Sequence, residues 1–402
     1  MNILFLTLAR IEDVEQSGLY QDLLRKFRDK GHHVTIVCPN ERRYNQSTQF
    51  IHLNGVDILK AWSPNFQKTN IFEKAITTLI IENIFFFYIK KYINYKKIDL
   101  ILYSTPPITF TNLIKRIKKV SQAKTYLLLK DIFPQNAVDL KLMNNNGILY
   151  KYFRSKEKIL YKISDHIGCM SPENMNYVLK HNLEIDSRKV EVNPNSIEIK
   201  NTITIELEKE KILEKYGIPK DKVLFIFGGN LGLPQGIEYL KQNIQYCKPI
   251  VNSFFIIVGN GTEYHELKEW FENENISNAC LISELPKSEF DQLLNIVDVG
   301  LIFLNPLFTI PNFPSRLLSY LENKIPIICA TDTSTDIGKI AVTNKFGFSC
   351  LTTDTQTFFD HIVKLLNIEL RSTMGDNGYK FLLNEYTSDI SYKKIIQKLI
   401  SK

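Results

Sequence analysis

The chain has 402 residues, a formal net charge of +7, 44% hydrophobic residues and 23% charged residues. This length predicts two domains of roughly 150–200 residues each, and the ordinary composition argues against a disordered chain. The six cysteines stand far apart and include no Cys-x-x-Cys pair, so the sequence favours neither a zinc site nor a disulfide framework. Such thiols are typical of a reducing compartment, and we expect a cytoplasmic protein.

Charge is distributed unevenly along the chain. Residues 1–195 hold 29 Lys and Arg against 18 Asp and Glu, a net charge of +11, whereas the remainder carries −4. A basic first half predicts a surface that faces an anionic partner, and nucleic acid and a phospholipid leaflet are the usual candidates.

Short β-branched or aromatic runs alternate with amphipathic stretches, which predicts an α/β fold with largely parallel sheets. The first run, Met1–Leu8, lacks a basic segment and a small-residue cleavage site, so we interpret it as a strand and not as a signal peptide. In the first half we predict strands at Asn2–Leu8, Val34–Cys38, Asp99–Tyr103, Thr125–Lys130 and His166–Met170, and helices at Gly18–Lys30 and Thr109–Lys119.

The segment from Ile71 to Lys97 interleaves aromatic and aliphatic residues with lysines. Its apolar part is interrupted by Glu82 and Asn83, and it is shorter than the ~20 apolar residues that span a bilayer. The composition is typical of a helix at a membrane surface. A buried helix whose lysines cap its end fits equally well. The basic first half favours the membrane contact.

The pattern breaks near Asn193–Ser196, where a polar run to Thr204 predicts a linker and Ile205–Tyr216 a new first helix. We therefore predict domains at 1–195 and 196–385. The second domain has predicted strands at Val223–Phe227, Phe254–Val258, Val299–Leu304 and Pro326–Ala330, and helices at Gln235–Tyr246, Tyr264–Asn273, Ser288–Val297, Ser315–Asn323 and, in the tail, Ser388–Ile400. Two doubly wound halves facing a central cleft bind ligands at the carboxyl ends of their strands.

Glycines follow the first two strands of the second half. The segment Phe227–Gly236 contains glycines that allow main-chain amides to approach an anion, at the start of a predicted helix. A tight strand-to-helix turn without a ligand is the alternative. The pair in Val258–Gly261 is a weaker signal alone, but it predicts a nucleotide across two adjacent strand ends.

The segment Asn305–Arg316 combines a proline-stiffened loop with a helix that Pro314 or Ser315 opens. Arg316 lies in the first helical turn, where a cation opposes the helix dipole, so stability alone does not favour it. A diphosphate bound between the helix start and the guanidinium explains this choice. The alternative is a surface arginine that pairs with a carboxylate such as Glu322.

The segment Lys130–Gln135 follows a predicted strand, and a charged pair stopped by a proline at that position belongs at the cleft. Asp131 is suited to orient or deprotonate an acceptor hydroxyl, and Lys130 to face phosphate. A helix cap beside a solvated lysine is the alternative.

The sequence argues against several other chemistries. Neither an Asp-x-Asp pair nor a His, Cys and Asp cluster with metal-ligand spacing occurs, so we expect no metal and no bound cofactor. The stretch Thr7–Ser17 contains no glycine, which disfavours a dinucleotide fingerprint after the first strand.

With these residues located, the chain resembles the retaining GT-B glycosyltransferases of family four, and more narrowly the bacterial N-acetyl-L-fucosamine transferases of capsule and O-antigen assembly. The resemblance covers nearly the whole chain and rests on the order and spacing of short segments, namely Gly31–Val37, Lys130–Ala137, Gly229–Gly232, Val258–Gly261, Asp298–Leu301 and Pro314–Arg316.

The resemblance implies a first domain that binds acceptor, a second that binds donor, and a C-terminal helix (386–402) that crosses back to the first domain. It implies catalytic roles for Lys130, Asp131 and Arg316 and an acceptor-side position for Gly18. The implied donor-binding residues are Gly229, Asn230, Gln235, Gly259, Gly261, Asn305, Phe313, Pro314, Ser315 and Ser319. Two glutamates of the family pattern are replaced here by Pro311 and Ser319, and its usual arginine and lysine by Asn230 and Gln235.

These expectations describe a metal-independent, retaining transferase at the inner membrane surface. The donor is a nucleotide-diphosphate sugar, UDP-linked, that carries an N-acetylated amino or deoxyamino hexose, and the acceptor is a lipid-diphosphate-linked saccharide. A sugar-nucleotide 2-epimerase and a catalytically inactive GT-B scaffold are the alternatives. No nucleic-acid reader motif is present, so we expect no nucleic-acid partner.

Overall fold

The computed structural model describes residues 1–67, 69–199 and 206–400. It contains two compact units: unit 1 comprises Met1–Glu198 and Thr387–Lys402, and unit 2 comprises Ile199–Tyr386. The domain boundaries predicted from the sequence, at 195 and 385, lie close to these limits. Part of the predicted linker and the start of the helix predicted at Ile205 fall at 200–205, outside the described residues.

The strands are β1 (Asn2–Leu6), β2 (His33–Glu41), β3 (Gln49–Leu53), β4 (Val56–Ser63), β5 (Leu100–Ser104), β6 (Lys124–Leu129), β7 (His166–Cys169), β8 (Val190–Val192), β9 (Val223–Asn230), β10 (Ser253–Asn260), β11 (Ala279–Ile282), β12 (Val299–Phe303), β13 (Ile327–Thr331) and β14 (Gly347–Leu351). The helices are α1 (Leu19–Asp29), α2 (Ile71–Tyr92), α3 (Thr111–Ser121), α4 (Gln135–Asp139), α5 (Ile148–Ile163), α6 (Pro172–His181), α7 (Glu206–Lys215), α8 (Ile237–Tyr246), α9 (Tyr264–Asn273), α10 (Lys287–Leu294), α11 (Arg316–Glu322), α12 (Ile337–Thr343), α13 (Thr355–Lys364), α14 (Ile368–Glu385) and α15 (Ser388–Ile400). No helix within the described ranges is long and apolar enough to cross a membrane.

The sheet of unit 1 has the order β3-β4-β2-β1-β5-β6-β7-β8 and is parallel except for the β3–β4 hairpin. The sequence analysis missed this hairpin, although Asn54 and Gly55 mark its turn. Both residues have positive φ, 49° and 76°, which is the signature of a tight type I′ connection.

The strands of unit 1 are apolar on both faces because helices cover both sides of the sheet. On β1, Leu4 and Leu6 pack with α2, α3 and α5, whereas Ile3 and Phe5 pack with α1. A near-continuous apolar run of this kind is what allowed β1 to be predicted.

The C-terminal helix α15 packs on α1 in unit 1, as the predicted fold requires. The rings of Phe27 and Tyr392 lie 4.9 Å apart, and the Tyr392 hydroxyl is 3.0 Å from Nε2 of His32. An ion pair of 3.0 Å joins Lys26 to Asp389. The last helix of the chain therefore completes the first unit.

The sheet of unit 2 is wholly parallel in the order β11-β10-β9-β12-β13-β14. In the chain order of this unit the arrangement is 3-2-1-4-5-6, the doubly wound Rossmann order. Its topological switch point lies between β9 and β12. Ligands of such sheets bind at the carboxyl ends of the strands beside that point, which directs attention to the segments after β9 and β12.

Two of the predicted ligand glycines have a structural explanation. Strands β9 and β10 extend to Asn230 and Asn260, beyond the predicted ends, and pair Gly229 with Gly259. A Cβ atom at Gly259, whose φ is +152°, would lie 1.8 Å from the carbonyl oxygen of Gly229. A Cβ at Gly261 would lie 2.2 Å from the carbonyl oxygen of Leu231. Close approach of neighbouring main chains therefore requires both glycines.

Replacing Gly259 by alanine should lower the free energy of unfolding by about 3 kcal/mol or more, since the backbone of β9 cannot move aside. Gly217→Ala is the matched control: Gly217 also has positive φ, 62°, but a Cβ there meets nothing within 4 Å. The control should lose only about 1–2 kcal/mol. Urea unfolding of both variants measures the difference, and equal losses would contradict the packing explanation.

Candidate functional site

The segments that follow β9 and β12 are hydrogen-bonded to each other at the switch point of unit 2. The backbone amide of Asn305 donates to the carbonyl of Pro234 at 2.9 Å, and its side-chain amide donates to that of Leu233 at 2.9 Å. The side-chain oxygen of Asn305 accepts from the amide of Leu307. Asn305 was predicted to bind the donor, but in this structure its side chain fixes the two loops.

Asn230 and Gln235 come together at the edge of the sheet. The side-chain amide of Asn230, which is exposed, lies 3.4 Å from the side-chain oxygen of Gln235. Gly229 precedes them with φ of +131°, a conformation that favours glycine. The backbone of Gly229, which no side chain covers, and the side-chain amides of Asn230 and Gln235 are therefore suited to hydrogen bonds with a polar ligand.

Arg316 lies against this glycine. A Cβ at Gly229 would sit 3.3 Å from Nη2 of Arg316, and the guanidinium carbon lies 4.4 Å from the centroid of the buried Phe227 ring. Nη1 of Arg316 is shielded from solvent and has no hydrogen-bond partner in residues 1–67, 69–199 and 206–400. Burial lowers the pKa of the Arg316 guanidinium.

The environment of Arg316 excludes the surface ion pair considered in the sequence analysis. Within the part of the chain that the structure describes, Arg316 forms no ion pair with a carboxylate. A shielded guanidinium with an unused donor is unfavourable unless an anion or another acceptor binds it. The site therefore has the properties of an anion-binding position.

Tyr320 contacts the end of β9 that leads into Gly229. The sequence analysis did not identify it. Its fully buried hydroxyl lies 3.2 Å from the carbonyl oxygen of Ile226 and 3.4 Å from the amide of Gly228. The signal was available, because Tyr320 is four residues after Arg316 and the two share a helix face. That its hydroxyl contacts the backbone of β9 could not be deduced from the sequence.

The other predicted residues near Arg316 have different environments. Ser315 occupies the N-cap position of α11 without a side-chain capping bond. The amides of Leu317 and Leu318 already bond to the carbonyls of Pro314 and Ser315, so the helix start offers fewer free donors than predicted.

Phe313 and Ser319 were also predicted on the donor side. The Phe313 ring lies 6.1 Å from that of Tyr386, so it packs toward the end of α14. Ser319, one turn after Arg316, accepts a bond at its carbonyl from Asn323 and keeps a partly exposed side chain.

A buried carboxylate that sequence analysis missed stabilises the loop before α11. Asp332, directly after β13, accepts hydrogen bonds from the amides of Ser334 and Thr335 at 2.7 and 2.9 Å. The Thr335 hydroxyl in turn accepts from the amide of Asn312. Burial raises the pKa of Asp332. Its role is to hold the loop that carries Arg316.

In unit 1, Lys130 and Asp131 follow β6, and the Thr105 hydroxyl after β5 fixes both. The Thr105 oxygen accepts from the amides of Lys130 and Asp131 at 3.0 and 3.3 Å. The side-chain amide of Asn136 lies 2.9 Å from each Asp131 carboxylate oxygen. The Asp131 carboxylate thus accepts from the Asn136 side chain and from the backbone amide of Ile132, which precedes α4.

Both charged groups have strongly altered acidity. Burial raises the pKa of Asp131 to about 6 and lowers the pKa of Lys130 to about 7. Among the described residues, Lys130 has no ion-pair partner. Pairs of groups whose environments bring their pKa values near neutrality are typical of acid–base and anion-binding sites.

Gly18 precedes α1, after β1, in an extended conformation with φ of −179°. Its amide donates to Asp22 at 3.1 Å, and Asp22 also pairs with Arg25 at 2.7 Å. Arg25 reaches Glu198 at 2.8 Å. In this structure the Gly18 amide is therefore engaged within the unit.

Over the described ranges, no group of three His, Cys, Asp or Glu side chains is placed to hold a metal ion.

Residues 208–381, most of unit 2, match the family described as Glycosyl transferases group 1. The chain is 22% identical over 333 residues to a probable glycosyltransferase, WbjE, of Pseudomonas aeruginosa, and the alignment covers 82% of this chain and 81% of that protein.

Two solved structures share the fold. WaaG, described as a glycosyltransferase involved in lipopolysaccharide biosynthesis, has a TM-score of 0.69 at 12% identity, with 100% of both chains covered. Anabaena HepE in complex with UDP-glucose has a TM-score of 0.68 at 14% identity, with 99% of each chain covered. At such identities the likeness establishes the fold. The chain has the GT-B fold of two Rossmann-like domains. The family match over residues 208–381 and the similarity to the Pseudomonas protein indicate that it is a transferase.

Proposed function

We propose that the protein is a retaining, metal-independent glycosyltransferase of family four. It transfers an N-acetylated amino or deoxyamino hexose from a UDP-linked donor to a lipid-diphosphate-linked saccharide in capsule or O-antigen assembly. It works as a cytoplasmic enzyme that associates peripherally with the membrane. The observation that carries this proposal is the guanidinium of Arg316 beside Gly229 at the switch point of unit 2, whose Nη1 is shielded and has no partner among the described residues.

In this proposal the donor diphosphate occupies the position beside Arg316. The bond between the anomeric carbon and the diphosphate breaks, and negative charge develops on the leaving phosphate. A preorganised cation in a shielded site stabilises that charge without reorganisation. The complex of Anabaena HepE with UDP-glucose supports a UDP-linked donor, and the involvement of WaaG in lipopolysaccharide biosynthesis supports a pathway of that type.

On the acceptor side, Asp131 takes the role of base. The acceptor oxygen forms the new bond to the anomeric carbon, and its proton passes to the Asp131 carboxylate. A carboxylate whose pKa is raised toward neutrality holds a proton better than an ordinary aspartate. Lys130, at the same strand end, provides a cation for the diphosphate of the lipid-linked acceptor.

An inactive scaffold is the second candidate, and Pro311 and Ser319, which replace the family's two glutamates, favour it. The direct test supplies purified protein with UDP-N-acetylhexosamines and a short-chain lipid-diphosphate saccharide and analyses the products by mass spectrometry. A new glycoside with retained anomeric configuration supports the transferase. Bound donor without any product would support the scaffold.

Arg316→Ala should reduce kcat/KM for transfer by about 2–4 kcal/mol in transition-state stabilisation, roughly 30- to 1000-fold. Because it removes a shielded, unpaired charge, it should not lower the free energy of unfolding. Steady-state kinetics and urea unfolding measure the two effects.

Arg371→Ala is the matched control within unit 2. Arg371 pairs with Asp298 at 3.2 Å and donates to the carbonyl of Leu365. We expect the opposite result, a loss of about 1–3 kcal/mol in stability with normal turnover of the folded fraction. Unchanged turnover in Arg316→Ala would remove Arg316 from the mechanism.

Asp131→Asn should abolish most transfer, spare donor binding and stabilise the fold. The folded pKa of Asp131, about 6, exceeds its ordinary value of 3.8, so ionisation opposes folding. The stability gain is absent below the ordinary value, develops as pH rises and is complete above the folded pKa, where it reaches about 1–3 kcal/mol.

Asp165→Asn is the control in the same unit. Asp165 pairs with Lys118 at 2.7 Å, and Lys118 and Thr125 hold its pKa below the ordinary value despite burial. This variant should lose stability at neutral pH and keep its turnover. Donor titration calorimetry and pH-dependent unfolding distinguish the two; a destabilised Asp131→Asn would instead indicate a purely structural carboxylate.

The pH profile of kcat/KM should be bell-shaped. Activity falls as pH drops through about 6, where Asp131 gains a proton, and falls again as pH rises through about 7, where Lys130 loses its charge. Lys130→Arg should move the alkaline limb to higher pH, because arginine stays protonated. Initial rates across this range measure both limbs, and an alkaline limb that Lys130→Arg leaves in place would exclude Lys130.

A further inference from the structure

The helices α2, α3 and α5 form one layer on a single face of the unit 1 sheet. Helix α3 contacts both α2 and α5, and all three pack on the same core. The strands that they connect are parallel, so each helix runs back across the sheet and starts at the carboxyl edge of the strands. The outward residues of α2, α3 and α5 are termed the three-helix face.

The face exposes large apolar side chains. Helix α2 buries a stripe of residues spaced by four, Thr77, Ile81, Phe85 and Ile89. Its other side exposes Phe72, Ile76, Leu79, Ile80 and Phe87. At the start of α5, Ile148 is 88% exposed and Leu149 is also exposed, while Phe72 at the start of α2 is 77% exposed. The helix predicted either to be buried or to contact a membrane therefore has two apolar sides, one of which no described residue covers.

All charged side chains exposed on this face are basic. Helices α2, α3 and α5 expose Lys74, Lys90, Lys91, Lys115, Arg116, Lys119, Lys151, Lys158 and Lys162. The three acidic residues of these helices are engaged in hydrogen bonds, and two of them, Glu82 and Glu157, are buried. Glu82 accepts hydrogen bonds from the first amides of α3, Asn112 and Leu113, and Glu157 bonds to Tyr161.

The remaining acidic residue, Glu73, is held by the amide of Asn65 and the hydroxyl of Thr69 at 3.0 and 2.6 Å. Of the exposed cations, Lys158 has a carboxylate nearby, Glu184 at 3.8 Å. A surface that combines exposed aromatic and aliphatic residues with cations alone matches the chemistry of an anionic lipid leaflet.

The apolar turns lie at the edge that carries Asp131. Phe72 and Ile148 open α2 and α5, and β6 ends at the same edge just before Lys130. Phe133, two residues after Asp131, stacks edge-on against Phe153 of α5 at 5.0 Å. Insertion of these turns into a leaflet brings the Asp131 edge to the lipid surface.

We propose that the three-helix face docks on an anionic phospholipid bilayer through the apolar first turns of α2 and α5 and the basic residues of α3. This rests on the proposed function, because docking at this edge presents Asp131 to a lipid-linked acceptor. The cations hold the protein at the headgroups, and the apolar turns enter the acyl boundary.

Flotation of the full chain with vesicles tests the proposal without any catalysis. Wild-type protein should bind vesicles that contain phosphatidylglycerol and should not bind phosphatidylcholine vesicles, with binding weakened by salt. Phe72→Ser combined with Ile148→Ser should weaken binding at least about tenfold. Lys115→Gln, Lys119→Gln and Lys151→Gln together should weaken it roughly a hundredfold.

Matched controls lie in unit 2, where Val251 and Ile368 are 72% and 70% exposed. Val251→Ser with Ile368→Ser, and Lys248→Gln with Lys339→Gln and Lys380→Gln, should bind vesicles as wild type does. Equal loss in these controls, equal binding to both vesicle types, or a solution dimer that the Phe72 and Ile148 variant dissociates would overturn the proposal.

Turnover with a short-chain acceptor in vesicle-free solution separates this proposal from the proposed function. Both face variants should turn over normally there and lose activity only on vesicle-bound acceptor. If the protein binds anionic vesicles but shows no turnover, the proposed transferase function is overturned and membrane docking of the three-helix face is supported. Normal turnover by a protein that ignores anionic vesicles would overturn the face alone.

Discussion

The candidate site depends on the positive charge of Arg316, whose Nη1 has no hydrogen-bond partner among the described residues. The guanidinium carbon lies 4.4 Å from the Phe227 ring centroid and Nη2 faces Gly229, so packing fixes the arginine, and no carboxylate of the described residues pairs with it. A paired arginine would have its charge largely neutralised before a ligand arrives. The arrangement keeps a positive charge available at the switch point, at a cost in stability that a bound anion offsets.

The same principle recurs in unit 1. Lys130 and Asp131 follow a buried strand, and burial moves the pKa of each toward neutrality, to about 7 and about 6. Neither group is neutralised by an ion pair in the described part of the chain. Thr105 and Asn136 hold the pair by neutral hydrogen bonds, which fix position without removing charge. Each unit thus has charged groups near the ends of its strands that packing and neutral hydrogen bonds hold in place.

The sequence predicted the fold well because buried parallel strands are continuous apolar runs, as in β1 and β9. It also singled out Arg316, since a cation at a helix start is unfavourable by local rules, and the role of Arg316 stays a prediction. The spacing of Tyr320 from Arg316 was visible, but the roles of Tyr320 and Asp332 depend on partners in another strand or loop, which the sequence does not show. The ligand contact of Gly259 stays a prediction, and the structure adds a packing reason for this glycine, since a Cβ there would lie 1.8 Å from the Gly229 carbonyl oxygen. Local sequence patterns identify strands, helices and residues that are unfavourable where they stand. The structural role of a single residue depends on contacts with residues far away in the sequence.

Unit 1 is discontinuous in sequence, since α15 follows all of unit 2 and packs on α1 through Phe27 and Tyr392. During synthesis, the outer surface of α1 must therefore wait for the last helix while unit 2 can already fold. Unit 1 therefore becomes complete only after unit 2 and α15 have both been synthesised.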